Sequence, residues 1–190
     1  LIAITCVFIV AVVRPVAADV LSAADERVAR SAFKATKAGE WKKARRLVAK
    51  VRHPLPAKIL RWMDFRRVGA NADFEDVGRF VALNPDWPEQ DLLRRRAEEM
   101  IDDKTPETLL LTWFARFAPV STDGMIRYGA VLRAAGVKEA GWAILRDAWI
   151  NGNFGKRSEK RFYRRYRKLM TRDDHLRRLD RLLWQGRYWP

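Results

Sequence analysis

Thr171-Arg172-Asp173-Asp174-His175-Leu176-Arg177-Arg178-Leu179-Asp180-Arg181-Leu182-Leu183-Trp184-Gln185-Gly186-Arg187 reads as one complete helix with both ends marked. Thr171 can cap the N-terminus, and Asp174, three residues on, completes a capping box. Asp173 and Asp174 also bring negative charge to the positive end of the helix dipole. Leu176, Leu179, Leu182 and Leu183 share a face that needs covering, while Arg177, Arg178 and Arg181 point elsewhere. Gly186 supplies the left-handed residue that ends a helix.

The turn around Gly186 has counterparts at Ala38-Gly39-Glu40-Trp41 and Ala135-Gly136-Val137-Lys138. Each runs from a helix through Gly into an apolar residue that opens a second helix. This is the joint of a helical hairpin, the unit from which α-solenoids stack. The joints are unevenly spaced, so a strict tetratricopeptide array is excluded. The last joint meets Pro190 where its second helix should begin, and position 1 is Leu rather than Met. The expectation is a longer chain with further hairpins.

Leu1 to Val13 is an apolar run broken only by Thr5, followed by Arg14-Pro15 and Val16-Ala17-Ala18. That pattern is the hydrophobic region and small-residue cleavage site of a secretory signal without its basic start, giving residues 1–18 as leader and 19–190 as the mature helical domain. The run is shorter than the roughly 20 apolar residues of a spanning helix, so no stable membrane anchor is expected. Ile4-Thr5 before Cys6 is a poor lipoprotein signal. Cleavage after Ala18 would remove Cys6, the sole cysteine, leaving a hydrophobic content of 48% to build a core without disulfides. With two distant histidines remaining, a zinc-type metal site is not expected. The formal charge of +15 (Arg14 included) points to an anionic partner. In the cytoplasm that would be nucleic acid; in an exported protein it is the cell wall or a membrane's outer face.

Along the chain, helices are expected over Ala23 to Ala38, Trp41 to Val51, Ala57 to Val68 and Phe74 to Leu83. Asn84-Pro85-Asp86-Trp87-Pro88 stops one helix and opens the next, with Pro88 in its first turn. Thr105-Pro106-Glu107 starts another, with proline at the first helical position. Thr122 to Ala135 and Val137 to Asn151 make the middle hairpin, and Ser158 to Leu169 a short basic helix before the last. No strand pattern occurs. The fold class is all-α, about ten short helices stacked as an irregular α-solenoid.

Asn84-Pro85-Asp86-Trp87-Pro88, Leu93-Arg94-Arg95-Arg96-Ala97-Glu98, Trp113-Phe114, and above all Asp174-His175 with Arg178 to Arg187, resemble the soluble lytic murein transglycosylases of Gram-negative bacteria, in their alphaproteobacterial form. The resemblance spans about Ala23 to Pro190. It implies a periplasmic superhelical scaffold attached to a lysozyme-like domain that cleaves the bond between N-acetylmuramic acid and N-acetylglucosamine, leaving a 1,6-anhydro product. The family's catalytic glutamate lies beside a serine, and this chain has no Glu-Ser pair. The resemblance therefore implies peptidoglycan as partner, no cofactor and no catalytic residue within this stretch. A non-enzymatic periplasmic helical-repeat interaction protein is the alternative, and a basic nucleic-acid module a third reading.

Read residue by residue, Glu98-Glu99 is a solvated surface pair rather than a glycosidase acid, which requires a raised pKa in a cleft. Asp86-Trp87 reads as a helix-start motif more readily than a sugar platform, and His175 as a capping residue more readily than an acid–base group. Eight tryptophans could suggest glycan stacking, but at helical spacing most read as hairpin core. The run Lys156-Arg157, Lys160-Arg161, Arg164-Arg165 and Arg167-Lys168, interleaved with Phe162, Tyr163 and Tyr166, is the one candidate contact. Arg161, Arg164, Arg165, Arg167 and Lys168 are its residues for an anionic ligand. A plain solvated face over core aromatics is the competing reading, and a nucleic-acid groove the third.

Overall fold

The computed structural model describes residues 21–187. The expected leader, with Cys6 and Arg14, lies outside the described residues, as do Tyr188, Trp189 and Pro190. Every regular element among the described residues is helical. The chain divides into two compact units, one ending at Arg61 and the other beginning at Trp62.

The first unit holds α1 (Ala23–Lys37), α2 (Trp41–Val48) and the opening turns of α3 (Pro54–Phe65). Ser22 caps α1 by accepting the Asp25 N–H at 3.1 Å. Ala32, Ala35 and Ala44 let α1 and α2 approach closely, with Val48 and Leu60 closing the core. α3 begins at Pro54, earlier than the expected Ala57. Both Pro54 and Pro56 fit there because N–H groups of the first helical turn have no acceptor within the helix.

The second unit contains the end of α3, then α4 (Phe74–Leu83), α5 (Gln90–Glu99), α6 (Glu107–Arg116), α7 (Thr122–Ala134), α8 (Lys138–Asn151), α9 (Lys156–Tyr166), a 3-10 turn (Arg167–Leu169) and α10 (Arg172–Trp184). One core gathers Phe65, Phe74, Phe80, Leu93, Trp113 and Phe114 with their neighbours. Trp87 packs edge-on against Phe80 at 6.0 Å, so the Asn84–Pro88 turn is structural, as the sequence indicated. Pro88 does not enter α5, however. Glu89 precedes the helix at φ 62°, and the Arg66–Glu89 ion pair ties this left-handed residue to the end of α3. Pro106 likewise sits just before α6, whose first residue is Glu107.

The three glycine joints share one hydrogen-bond pattern. Gly39, Gly136 and Gly186 have φ of 76°, 86° and 64°. The following residue donates across the helix end in each case: Glu40 to Ala35, Val137 to Leu132 and Arg187 to Leu182, at 2.8–2.9 Å. Each glycine N–H bonds back to the third residue before it, at 3.0–3.2 Å. These are Schellman closures, and they require the left-handed conformation that glycine adopts without strain. After the first two, the chain returns as a packed hairpin, α1 with α2 and α7 with α8. The α7–α8 pair is especially close. A Cβ on Gly129 would lie 2.7 Å from Leu145 Cγ, and one on Gly141 would lie 2.7 Å from the Gly129 carbonyl oxygen.

A second core gathers Leu145, Ala148, Trp149, Ile150, Phe162 and Tyr166. α10 packs on α8 beside it through its polar face, and the leucine face that needs covering stays open. Leu176, Leu179 and Leu183 are each 52% exposed, whereas Asp174 and Arg178 are 1% and 5% exposed. Arg178 donates to the Trp149 carbonyl at 2.6 Å, and Arg181 to those of Ile150 at 2.7 Å and Gly152 at 2.9 Å. These carbonyls lie at the C-terminal end of α8, where no intrahelical donor remains and the dipole favours cations. Asp174 completes the dock as a bidentate partner of Arg146, both contacts 2.9 Å.

Magnitudes show why the polar face carries this contact. Leaving three leucines half exposed forfeits about 1 kcal/mol each. Charged hydrogen bonds contribute about 1.5–3 kcal/mol apiece, and α10 makes several. Arg178→Ala is therefore expected to lower unfolding free energy by about 2–4 kcal/mol, because it strands buried carbonyls. Leu179→Ser should lower it by only about 1 kcal/mol, the worth of its buried half. Urea unfolding of the two variants checks the pair; a larger loss for Leu179→Ser would make the leucine face, not the polar one, the docking face.

Candidate functional site

α9 carries the candidate cations, and its caps and packing determine where they point. The Gly155 N–H donates to Ser158 Oγ at 3.0 Å, which starts the helix. Phe162 and Tyr166, one turn apart, are 3% and 4% exposed and anchor it to the second core. Phe162 stacks parallel to Trp149 at 5.8 Å. With those two rings inward, Lys156, Arg157, Lys160, Arg161, Arg164 and Arg165 occupy the outer half of the helix. Arg167 and Lys168 follow in the 3-10 turn, also exposed. None of these eight cations forms an ion pair among the described residues; Glu159, within the same helix, is paired to Arg178 at 3.2 Å.

The ridge has a different neighbour on each flank. On one side Arg161 and Arg165 line a cleft of about 330 Å³ against α7, with Arg127 and Asp123 opposite. On the other, Lys156 and Lys160 border an open depression floored by Trp149, Tyr163 and His175. Arg164, Arg167 and Lys168 line neither, so the fold brings together only two of the five candidate residues in a concave site. Tyr163 also departs from the core-aromatic reading. It is 42% exposed, although Phe162 and Tyr166 are buried as expected.

His175 belongs to the aromatic floor. Its Nδ1 accepts the Trp149 indole N–H at 3.3 Å, and its ring lies 5.9 Å from that of Tyr163. Capping falls to its neighbours instead: Thr171 Oγ1 accepts the Asp174 N–H at 3.2 Å, and Asp174 accepts the Thr171 N–H at 2.7 Å. The floor and the α7 flank were not singled out from the sequence. Trp149, Tyr163 and His175 are separated along the chain, and their meeting follows from the way α10 docks.

Glu98 is the clearest correction. Expected on a solvated face, it is 1% exposed. Its carboxylate accepts the backbone N–H of Val120 at 2.9 Å, that of Ser121 at 2.8 Å, and the Ser121 hydroxyl at 2.5 Å. Ser121 Oγ in turn accepts the Gly124 N–H at 2.9 Å, capping α7. A Cβ at Gly124 would overlap the Glu98 carboxylate, which explains a glycine in this first turn. Burial pushes the Glu98 carboxyl above its ordinary value, opposed by the hydrogen bonds from Ser121 and Val120. A raised carboxyl is what a glycosidase acid needs, but this one is enclosed and engaged in holding α7 on α5. Glu99 is exposed and paired to Arg96 at 2.6 Å, as a surface residue should be. No group of three or more metal-ligating side chains occurs among the described residues, and none of their helices is long and apolar enough to cross a membrane.

Two outcomes follow for the buried carboxylates. Glu98→Ala leaves two N–H groups without acceptors and should cost about 2–3 kcal/mol, read as a fall in urea midpoint. Asp174 behaves differently with pH. Its burial alone would raise the pKa, but Arg146 and Thr171 outweigh it and hold the carboxyl at about 2, below the usual 3.8. A lowered folded-state pKa contributes stability above the ordinary value and loses it as pH falls toward the lowered one. Stability should therefore drop by about 2 kcal/mol between roughly pH 5 and pH 2 through this group, and Asp174→Asn should flatten that part of the profile. Comparison with family models, with curated proteins and with solved structures returned no match for this chain.

Proposed function

We propose that these residues form a helical-hairpin scaffold of a periplasmic lytic transglycosylase and contact peptidoglycan through α9. The observation that carries this reading is the unpaired cationic ridge of α9 beside the aromatic floor of Trp149, Tyr163 and His175. Peptidoglycan offers carboxylates on its peptides and flat sugar faces on its glycan, so charge and rings side by side suit it. The resemblance at Asp174-His175 and Arg178 to Arg187 falls on residues with demanding work: Asp174, Arg178 and Arg181 are the contacts that dock α10. Cleavage of the glycosidic bond is assigned to a catalytic domain outside these residues, and export to the leader at residues 1–18.

A non-enzymatic helical-repeat protein remains the second reading, favoured by the exposed leucines of α10 and by Trp184 at 85% exposure. Such a face suits another protein as well as another hairpin.

The test is binding to purified peptidoglycan sacculi. Exposed charges are screened over about 8 Å at physiological salt, so binding through α9 should fall steeply as salt rises. Arg164→Gln, Arg165→Gln and Arg167→Gln together should reduce it several-fold, with unchanged circular dichroism. Binding equally strong in high salt would move the contact away from the cationic ridge, and absent binding would favour the interaction-protein reading.

A further inference from the structure

The cleft between α7 and α9 is charged in an unbalanced way. Arg127 is already neutralised by Asp103, 2.7 Å away. Arg161 and Arg165 are not ion-paired among the described residues, and neither is Asp123 across the cleft. Arg161 and Arg165 stand one helical turn apart, a spacing that sets their side chains side by side. Asp123 lies in the first turn of α7. Phe162, 3% exposed, supplies part of an apolar floor between these charges. A volume of about 330 Å³ is at the small end of ligand sites.

We propose that this cleft binds a short peptide segment bearing free carboxylates and one free ammonium group, of the kind found in the stem peptides of the bacterial cell wall. A carboxylate bridges Arg161 and Arg165, because a guanidinium presents two parallel N–H groups to two carboxylate oxygens. The ammonium faces Asp123. The aliphatic stretch between the two groups lies over Phe162. Two cations against one anion leave the cleft with one surplus positive charge, so a ligand with more carboxylates than ammonium groups fits better than a simple zwitterion. Polyphosphates and nucleic acid lack the ammonium that Asp123 is placed to meet, and Asp103 and Asp123 would repel their phosphates. The site rests on the wall-binding reading and narrows it: the aromatic flank is left to the glycan and this flank takes the peptide.

Calorimetric titration of the chain tests it, with the tripeptide N-acetyl-L-alanyl-γ-D-glutamyl-meso-diaminopimelate, whose one free ammonium is on the diaminopimelate, as probe. The tripeptide should bind, while its form with all carboxylates converted to carboxamides should bind at least about tenfold more weakly. Arg161→Gln with Arg165→Gln should also lower affinity about tenfold. The charge-matched pair Arg46→Gln with Lys50→Gln, in the first unit, should leave it unchanged. Arg161→Lys with Arg165→Lys keeps the charge and loses the planar fork, so affinity between these two cases supports bidentate capture. Asp123→Asn should weaken the tripeptide but not the form whose diaminopimelate amine is also acetylated. Equal loss in both glutamine pairs, equal binding of the carboxamide, or no tripeptide binding at millimolar concentration would overturn the proposal. Sacculus binding read on the same preparations separates the two readings: its survival without tripeptide binding sinks the cleft alone, and its absence sinks the wall-binding reading itself.

Discussion

The C-terminal end of α8 is where the second unit is decided. A helix ends with carbonyl oxygens that lack donors, and here three of them, on Trp149, Ile150 and Gly152, are met by Arg178 and Arg181. The guanidinium of Arg178 also lies over the Trp149 ring, 4.2 Å from its centre, so one side chain satisfies a carbonyl and covers an aromatic face. Asp174 and Arg146 fix the other end of α10. With α10 held this way, His175 comes to rest against Trp149 and Tyr163, and its leucines turn outward. The position of the aromatic floor and the orientation of α9 above it both depend on that polar dock.

A second polar dock operates on α7. Glu98, near the end of α5, reaches the N-terminal approach of α7 and accepts N–H groups that precede the helix. The two devices are complementary: cations close a helix C-terminus and an anion closes a helix N-terminus, each in the sense of the dipole. Between them they set α7, α8 and α10, and therefore both flanks of the cationic ridge. Among the described residues of the first unit the core is instead built from Ala32, Ala35, Ala44, Val48 and Leu60.

Much of this was legible in the residues. The capping box at Thr171 and Asp174, the left-handed glycines 39, 136 and 186, and the burial of Phe162 and Tyr166 beneath a cationic face all follow from local chemistry. The docking role of α10's arginine stripe did not. Its leucine stripe needs covering, as the residues indicate, but the arginine stripe docks because α8 ends in carbonyls without donors, which the pattern of α10 itself does not reveal. Glu98 was misread for a related reason: its partners, two backbone N–H groups and the Ser121 hydroxyl, are 22 and 23 positions away, where no local pattern advertises them. The cleft with Arg161 and Arg165 was half visible, since the arginines stood out but Asp123 and Arg127 on α7 did not.

The account turns on α9 being the surface that meets the cell wall. Mapping lysine reactivity by acetylation and mass spectrometry, with and without intact sacculi, addresses it residue by residue. Lys156, Lys160 and Lys168 are exposed on or beside α9, while Lys34, Lys37 and Lys50 stand in or beside α1 and α2. The expected result is loss of reactivity at the first three on sacculi, with the others labelled as in free solution. Protection spread evenly over all six, or confined to the first unit, would contradict it.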